Sequence, residues 1–413
     1  MIPYEDALAL LVSEAHPQPV HNVARDDAIG LICAQDLVSG FSIPPFDNSA
    51  MDGFAVHAEQ TASASASHPV TLSVGHHLAA GDLLAQQTRS AAVQIMTGAK
   101  MPAGFDAVVP IEDVDCVSGP DGLAQTITLR APVVPGRHIR RAAEDFAQGA
   151  LIACAGQRLH SGHIAAMAAT GIQQLGIVQM PGVEVFATGQ EVVDANTPTL
   201  ADGQIYDSNT PYLLGHLRAA GIPAHRVGRI GDDPHAFARL INAPSDHPIL
   251  ISTGAVSKGT RDFIPEVLQQ HGARLVFHRV AIKPGKPILF ARLANGRYFF
   301  GLPGNPVSAA VGLRFFVQPL IRRLLGMPPE TLPSFALEHN HAKKGRLRHF
   351  LKARVHTDVA GQSHLHLLDG QESFKISPML HMNCWAIIDE SSQDLSSGNL
   401  LTTASVDLFP PLS

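Results

Sequence analysis

The chain is 413 residues long, 45% hydrophobic and 16% charged. At roughly 150 residues per domain that exceeds one small module, and the composition excludes a disordered chain. The net charge is −6, and the densest basic stretch is only Lys343, Lys344, Arg346 and Arg348, read as a solvated turn, so nucleic acid is not expected as a main partner.

The four cysteines are scattered without a CxxC pair, which excludes a disulfide framework and a zinc ribbon. There is no HExxH, and His364 and His366 share one face of a predicted strand, where a metal site is not expected. The start, MIPYEDALALL, has no basic region before its apolar residues, and no apolar run reaches about 18 residues. A cytoplasmic protein without signal peptide or membrane span is expected.

In chain order, Tyr4, Ala7, Leu8, Leu11, Val12 and Ala15 recur at helical spacing behind Pro3, predicting an amphipathic helix. Ala28 to Val38 reads as a second helical piece running into a strand. A turn-rich loop, IPPFDNSAMDGF, follows at 43–54. From 55 to 130 come short β-type runs at 70–74, 91–96, 107–109 and 125–129, separated by Gly, Pro, Asp and Ser. Mixed structure returns over 131–170 with a helix near 161–171, so the β module reads as an insertion.

Residues 178–326 alternate between strand and helix patterns. Strands are expected near 183–187, 224–230, 249–252, 275–280, 288–291 and 298–301. Helices are expected near 210–220, 235–243, 262–271 and 306–325, the last interrupted at Pro319. Asp233 is placed as an N-cap with Pro234 at the first helical position. This alternation predicts a parallel sheet with helices on both faces. Short strands near 351–355 and 364–368 mark a last β domain. The fold class is multidomain α/β plus β.

Ligands of such sheets bind beyond the carboxyl ends of the strands. Three loops rich in Gly, Ser and Thr fall there: Ala187–Glu191, Ser252–Asp262 and Gly301–Ser308. Glycine allows close backbone approach, and free N–H groups at a helix start attract anions. No P-loop and no GxGxxG motif opening a helix is present, which argues against a dinucleotide dehydrogenase. Lys283 and Lys286, in the proline-stiffened IKPGKP, suit a polyanion, although the residues alone read equally as solvated lysines. Glu191, Asp232, Asp233 and Asp262 lie near the same edge, and carboxylates beside phosphate loops suit a hard cation such as Mg²⁺. Capping explains Asp233 fully and is an alternative reading for Asp262, whereas Glu191 has no such simple account. In Asp47–Gly53, Asp52 is either a turn former or aimed at a ligand.

Here the chain resembles a known family. FDNSAMDGFAV, IYDSN (205–209), IKPGKP and GLPGNPVSA, with MTGA (96–99) and RRAAED (140–145) in order, are similar to the motifs of the MoeA/gephyrin family of molybdopterin molybdenumtransferases. The resemblance runs along nearly the whole chain and is weakest after about 330. It implies four domains: an elongated α/β linker and dimerisation domain from 1–42 and 131–172, an inserted β-rich domain at 43–130, a MogA-like α/β molybdopterin-binding domain at 173–327, and a C-terminal β-rich domain at 328–413. It also implies a reaction, in which molybdate and adenylyl-molybdopterin give molybdenum cofactor and AMP with Mg²⁺ assisting. A homodimer with shared active sites is implied, with a MogA-type adenylyltransferase as a candidate partner. Motif by motif, Asp52, Asp145, Glu191 and Asp262 match catalytic acids. Glu191, Asp232, Asp233 and Asp262 match the metal acids. Thr97, Thr188, Gly189, Ser252, Gly254, Ser257, Lys283, Lys286, Pro303, Gly304 and Asn305 match substrate-binding positions. Three positions depart from the family pattern: Ala255 and Ala143 where Gly is usual, and Gln190 where Asp is usual. A non-catalytic binder or scaffold of the same fold is the alternative these departures raise.

Overall fold

The computed structural model describes residues 1–82, 90–254 and 263–409. The predicted amphipathic helix is α1 (Tyr4–Glu14), which buries Tyr4, Ala7 and Leu11. It packs into the core shared by the α/β sheet and the last β domain, with the Tyr4 ring edge-on to Phe316 and Phe350. The helix expected over Ala28–Val38 is absent. A short 3₁₀ turn at Arg25–Asp27 leads instead to two short strands, Ile32–Cys33 and Leu37–Val38. Ile32–Cys33 is buried by pairing with Ile177–Val178, while Leu37–Val38 pairs with 151–153 and leaves Val38 exposed.

Val20–Ala24 pairs antiparallel with Gln174–Val178, so the chain returns to its start after a long excursion. Within that excursion lies a six-stranded sheet ordered 107–110, 53–56, 92–95, 70–78, 124–129, 115–118. The strand pattern predicted for this stretch is therefore present, and Phe54, Val56, Val109, Ile127 and Leu129 form its core. Helix α2 (Ser161–Ala169) follows.

The second half holds a six-stranded sheet ordered 224–230, 183–188, 249–253, 298–302, 289–292, 274–278. The first four strands are parallel, but 289–292 runs antiparallel to both its neighbours, 298–302 and 274–278, so the sheet is mixed rather than parallel throughout. Two-residue periodicity splits the central strands between two cores. Ile249, Ile251, Tyr298 and Phe300 face one side with Leu213 and Leu217 of α3 (Asn209–Ala219). Leu250, Phe299 and Phe186 face the other with Phe237 and Ile241 of α4 (Pro234–Asn242) and Leu268 of α5 (Ile264–Gln270). Phe237 is wholly buried, and its loss to Ala would cost about 3–5 kcal/mol. The long helix expected over 306–325 is α6 (Pro306–Gly312), five residues of π-helix at Leu313–Val317, and α7 (Gln318–Leu324). The interruption precedes Pro319, which lacks the N–H an α-helix would need there, and the wider turn absorbs that missing bond.

In the last domain the strands 348–357, 363–367, 334–337, 400–405 and 384–388 pair in that order, and the last pairs back to the first, closing a barrel. Ile282 and Lys283 add to it in parallel, opposite Arg348 and His349. The basic cluster is a solvated turn only at Lys344 and Arg346, which are exposed. Lys343 is buried and donates to the carbonyls of Asp389 and Glu390, and Arg348 pairs with Glu5, Asp389 and Glu390. No helix among the described residues is long and apolar enough to cross a membrane.

Candidate active site

The predicted residues form two groups. The first surrounds the DNSAMDG loop. Asn48–Ser49 pairs with Ile139–Arg140, and Asp47 accepts from the Ala142 N–H at 2.8 Å and the Arg141 guanidinium at 2.6 Å. The RRAAED loop, with exposed Asp145, is thereby held beside the loop carrying Asp52. The MTGA turn closes the other side, where the Ser49 and Gly98 backbones bond and Asp52 accepts from Thr97. Three motifs far apart in sequence thus meet. Two hydrogen bonds, the backbone N–H of Thr97 first and its hydroxyl second, hold the Asp52 carboxyl below its ordinary range. Ala143 sits at φ +65°, in the left-handed region, which explains why glycine suits this position.

The second group gathers at the carboxyl edge of the α/β sheet. Gly189 and Gly254 have φ of +108° and +95°. A Cβ on Gly189 would lie 2.7 Å from a carboxylate oxygen of Glu191, and one on Gly254 would lie 2.7 Å from the Thr188 hydroxyl. Thr188 is buried and its hydroxyl donates to the Thr253 carbonyl at 3.0 Å. Arg229 grips the exposed Glu191 loop through the carbonyls of Gln190 and Val192. Asn209 donates to the Gly304 carbonyl at 2.8 Å, joining IYDSN to GLPGNP, where Pro303 is buried and Gly304 and Asn305 are exposed. Lys283 and Lys286 are exposed beside buried Gly285.

Other predicted residues are otherwise engaged. Ser252 is fully buried, its hydroxyl directed at the Phe300 carbonyl. Asp233 caps α4 as predicted, one oxygen accepting from the N–H groups of His235 and Ala236. The Ala236 bond contributes most to holding its carboxyl below the usual range. Asp232 beside it is partly buried. Ser257 and Asp262, with Ala255, lie outside the described residues. The start expected for α5 at Asp262 also lies there, and the described helix begins at Ile264.

Sequence reasoning missed two contributors. Asp207 accepts from the Thr210 N–H at the start of α3 and from Arg226. It lies within IYDSN, so that motif carried its signal. Ser373 of the barrel accepts a hydrogen bond from the Asn305 amide at 3.1 Å, and its carbonyl accepts from the Val307 N–H. Buried Lys352 braces that segment through the carbonyls of Glu372 and Lys375. No local pattern announces this contact between distant segments.

Chemically, the edge offers two exposed ammonium groups and, on the loops that follow the neighbouring strands 183–188 and 224–230, the carboxylates of Glu191 and Asp232. It can accept a multiply anionic small molecule. The donor set at the edge, carboxylate oxygens of Glu191 and Asp232 without a thiolate, fits a hard cation such as Mg²⁺.

Comparison with known proteins agrees with this architecture. Residues 2–171 match the family described as "MoeA N-terminal region (domain I and II)", and residues 184–323 match "Probable molybdopterin binding domain". The chain is 34% identical over 408 residues to the molybdopterin molybdenumtransferase of Synechococcus elongatus, covering 96% of this chain and 98% of that one. It is 30% identical over 403 residues to the protein of the same name from Staphylococcus aureus, covering 96% and 94%. The crystal structure of a molybdopterin biosynthesis MoeA protein from Pyrococcus horikoshii superposes with a TM-score of 0.82 at 28% identity, covering 98% and 99%. The chain belongs to the MoeA family, a family of enzymes whose curated members here are named transferases.

Proposed function

We propose that this protein is a molybdopterin molybdenumtransferase, which inserts molybdate into adenylyl-molybdopterin and releases AMP with Mg²⁺ assisting. The observation that carries this reading is the pair of turns at Gly189 and Gly254, both at positive φ and meeting around Thr188, where a Cβ on Gly254 has no room. Lys283 and Lys286 balance the charge that builds as the pyrophosphate linkage breaks and AMP leaves, and Asn305 with Gly304 borders the same edge. Glu191, Asp232 and Asp262 are the acids proposed to hold the Mg²⁺, with Asp233 serving chiefly as a cap; the cation screens the phosphates from one another.

Asp52, Thr97 and Asp145 belong to the first group. In the proposed homodimer the Asp52 loop of one subunit completes the cleft of the other. The decisive experiment incubates purified protein with adenylyl-molybdopterin, Mg²⁺ and molybdate. It follows AMP release and reconstitution of an apo-molybdoenzyme. Molybdate-dependent release with reconstitution is expected; neither above a protein-free control would overturn the proposal.

A further inference from the structure

We propose that Glu338, His339 and His366, on the rim of the C-terminal barrel, form a binding site for a divalent transition cation of the zinc, copper or nickel class. The three side chains each bring one ligand atom, and these atoms all lie within 4.8 Å of one another. Glu338 Oε2 is 2.8 Å from His366 Nδ1 and 3.9 Å from His339 Nε2. A tetrahedral centre with bonds of about 2.0–2.1 Å needs its donors roughly 3.3 Å apart. The observed separations bracket that value, so small side-chain rotations suffice.

The backbone already fixes the arrangement. Strand 334–337 runs parallel to strand 363–367, with Leu337 opposite Leu365, and the Glu338 N–H donates to the Leu365 carbonyl at 2.9 Å. Glu338 therefore stands beside His366 by strand register, and His339 follows one residue on. The His339 and His366 rings meet edge to face, 5.8 Å between centroids. The neighbouring His364 is bound to Asp358 at 3.0 Å and stands outside the trio. Side-chain exposures of 33% for Glu338, 41% for His366 and 73% for His339 leave a coordinated cation open to solvent on one side. Two imidazole nitrogens and one carboxylate oxygen suit borderline transition metals and disfavour Mg²⁺ and Ca²⁺, which prefer all-oxygen shells. Arg354 lies across the strand pair from His366 and is the cationic neighbour that opposes binding.

The test is titration of the full chain with ZnCl₂ in a non-chelating buffer, followed by calorimetry, and with CoCl₂, followed by visible absorption. One site per chain is expected, undisturbed by excess MgCl₂. Its Zn²⁺ affinity should fall about 10-fold or more in His366→Ala and in His339→Ala, since even residues that merely orient metal ligands are worth about 10–100-fold. His381→Ala, which removes an exposed histidine elsewhere in the barrel domain, should leave it unchanged. His339 is mostly exposed, so its variant should keep the fold even where His366→Ala does not. Absence of a wild-type site, or equal affinity in wild type and His339→Ala, would reduce the trio to an ordinary histidine–glutamate ion pair.

Discussion

Thr97 donates both its backbone N–H, at 2.7 Å, and its hydroxyl, at 2.8 Å, to the same oxygen of Asp52. Both donors favour the ionised carboxylate, so Asp52 carries its charge throughout the neutral range. None of the described residues bonds the second oxygen.

The first prediction compares two lesions of this pair. Asp52→Asn should lower AMP release about 10²-fold, as loss of other preorganised electrostatic groups does, with an unchanged melting temperature because Asp52 is exposed. Thr97→Val keeps the backbone donor and should lose less. Removing the hydroxyl raises the Asp52 pKa, so the acid limb of the Thr97→Val rate profile should move to higher pH. A profile superimposable on wild type would separate Asp52 ionisation from turnover.

Ala143 supplies the second. An L-residue in the left-handed region costs about 1–2 kcal/mol, and glycine gives back part of that gain through its freer unfolded chain. Ala143→Gly should therefore raise unfolding free energy by about 0.5–1 kcal/mol, read from urea melts, whereas Ala143→Val should lower it.

At the sheet edge, two alanine substitutions should part company. In Gly254→Ala the new Cβ meets a buried hydroxyl at 2.7 Å and the Thr188 carbonyl oxygen at 3.1 Å. Both stability and turnover should fall. In Gly189→Ala the obstacle is the end of the exposed Glu191 side chain, which can swing away. Stability should fall by only the positive-φ strain, about 1–2 kcal/mol, while turnover drops sharply as the carboxylate is displaced. Equal turnover for Gly189→Ala and wild type would remove Glu191 from the chemistry.

How much of this was legible beforehand depended on whether the signal was local. The N-cap at Asp233, the α1 periodicity and the glycine loops at 187–191 and 301–308 are written within a few residues of themselves, and the structure contains each of them. The stretch Ala28–Val38 misled because Ala28 and Ile32, and Cys33 and Leu37, lie four apart as on a helix face, while the burial of Ile32 and Cys33 comes from pairing with the distant Ile177 and Val178. Lys343 looked solvated because its partners are carbonyls of Asp389 and Glu390, which carry no side-chain signature. Ser373 meets Asn305 only through tertiary packing, so nothing near either residue foretold the contact.

A fourth prediction concerns acid stability. His349 is buried and its pKa is pushed down to about 4, first by loss of solvent and then by Lys283, Lys343 and His341. The folded chain binds this proton less readily than the unfolded chain, whose ordinary value is near 6.5. Its contribution is thus fully favourable above about pH 6.5 and erodes as pH falls from there towards 4, by at most about 3 kcal/mol. Urea midpoints measured from pH 8 to 4.5 should decline less steeply in His349→Gln than in wild type. Parallel declines would contradict the assignment.

The fifth tests the shared site. Asp52→Ala and Glu191→Ala chains, each inactive alone, should regain roughly a quarter of wild-type activity when mixed equally and allowed to exchange, because half the dimers then hold one intact site of two. No rescue, with heterodimers demonstrated, would place Asp52 and Glu191 in one chain's cleft.

The pairing of Ile282–Lys283 with Arg348–His349 makes the lysine loop a rung of the barrel's ladder. A chain shortened just before the barrel would keep every glycine loop of the α/β edge in sequence, yet release the one strand that registers Lys283 against a rigid frame. The barrel therefore works as a gauge block for the ammonium group's reach. Lengthening or tilting strand 348–357 would retune the cleft from outside it, without touching any residue that lines it.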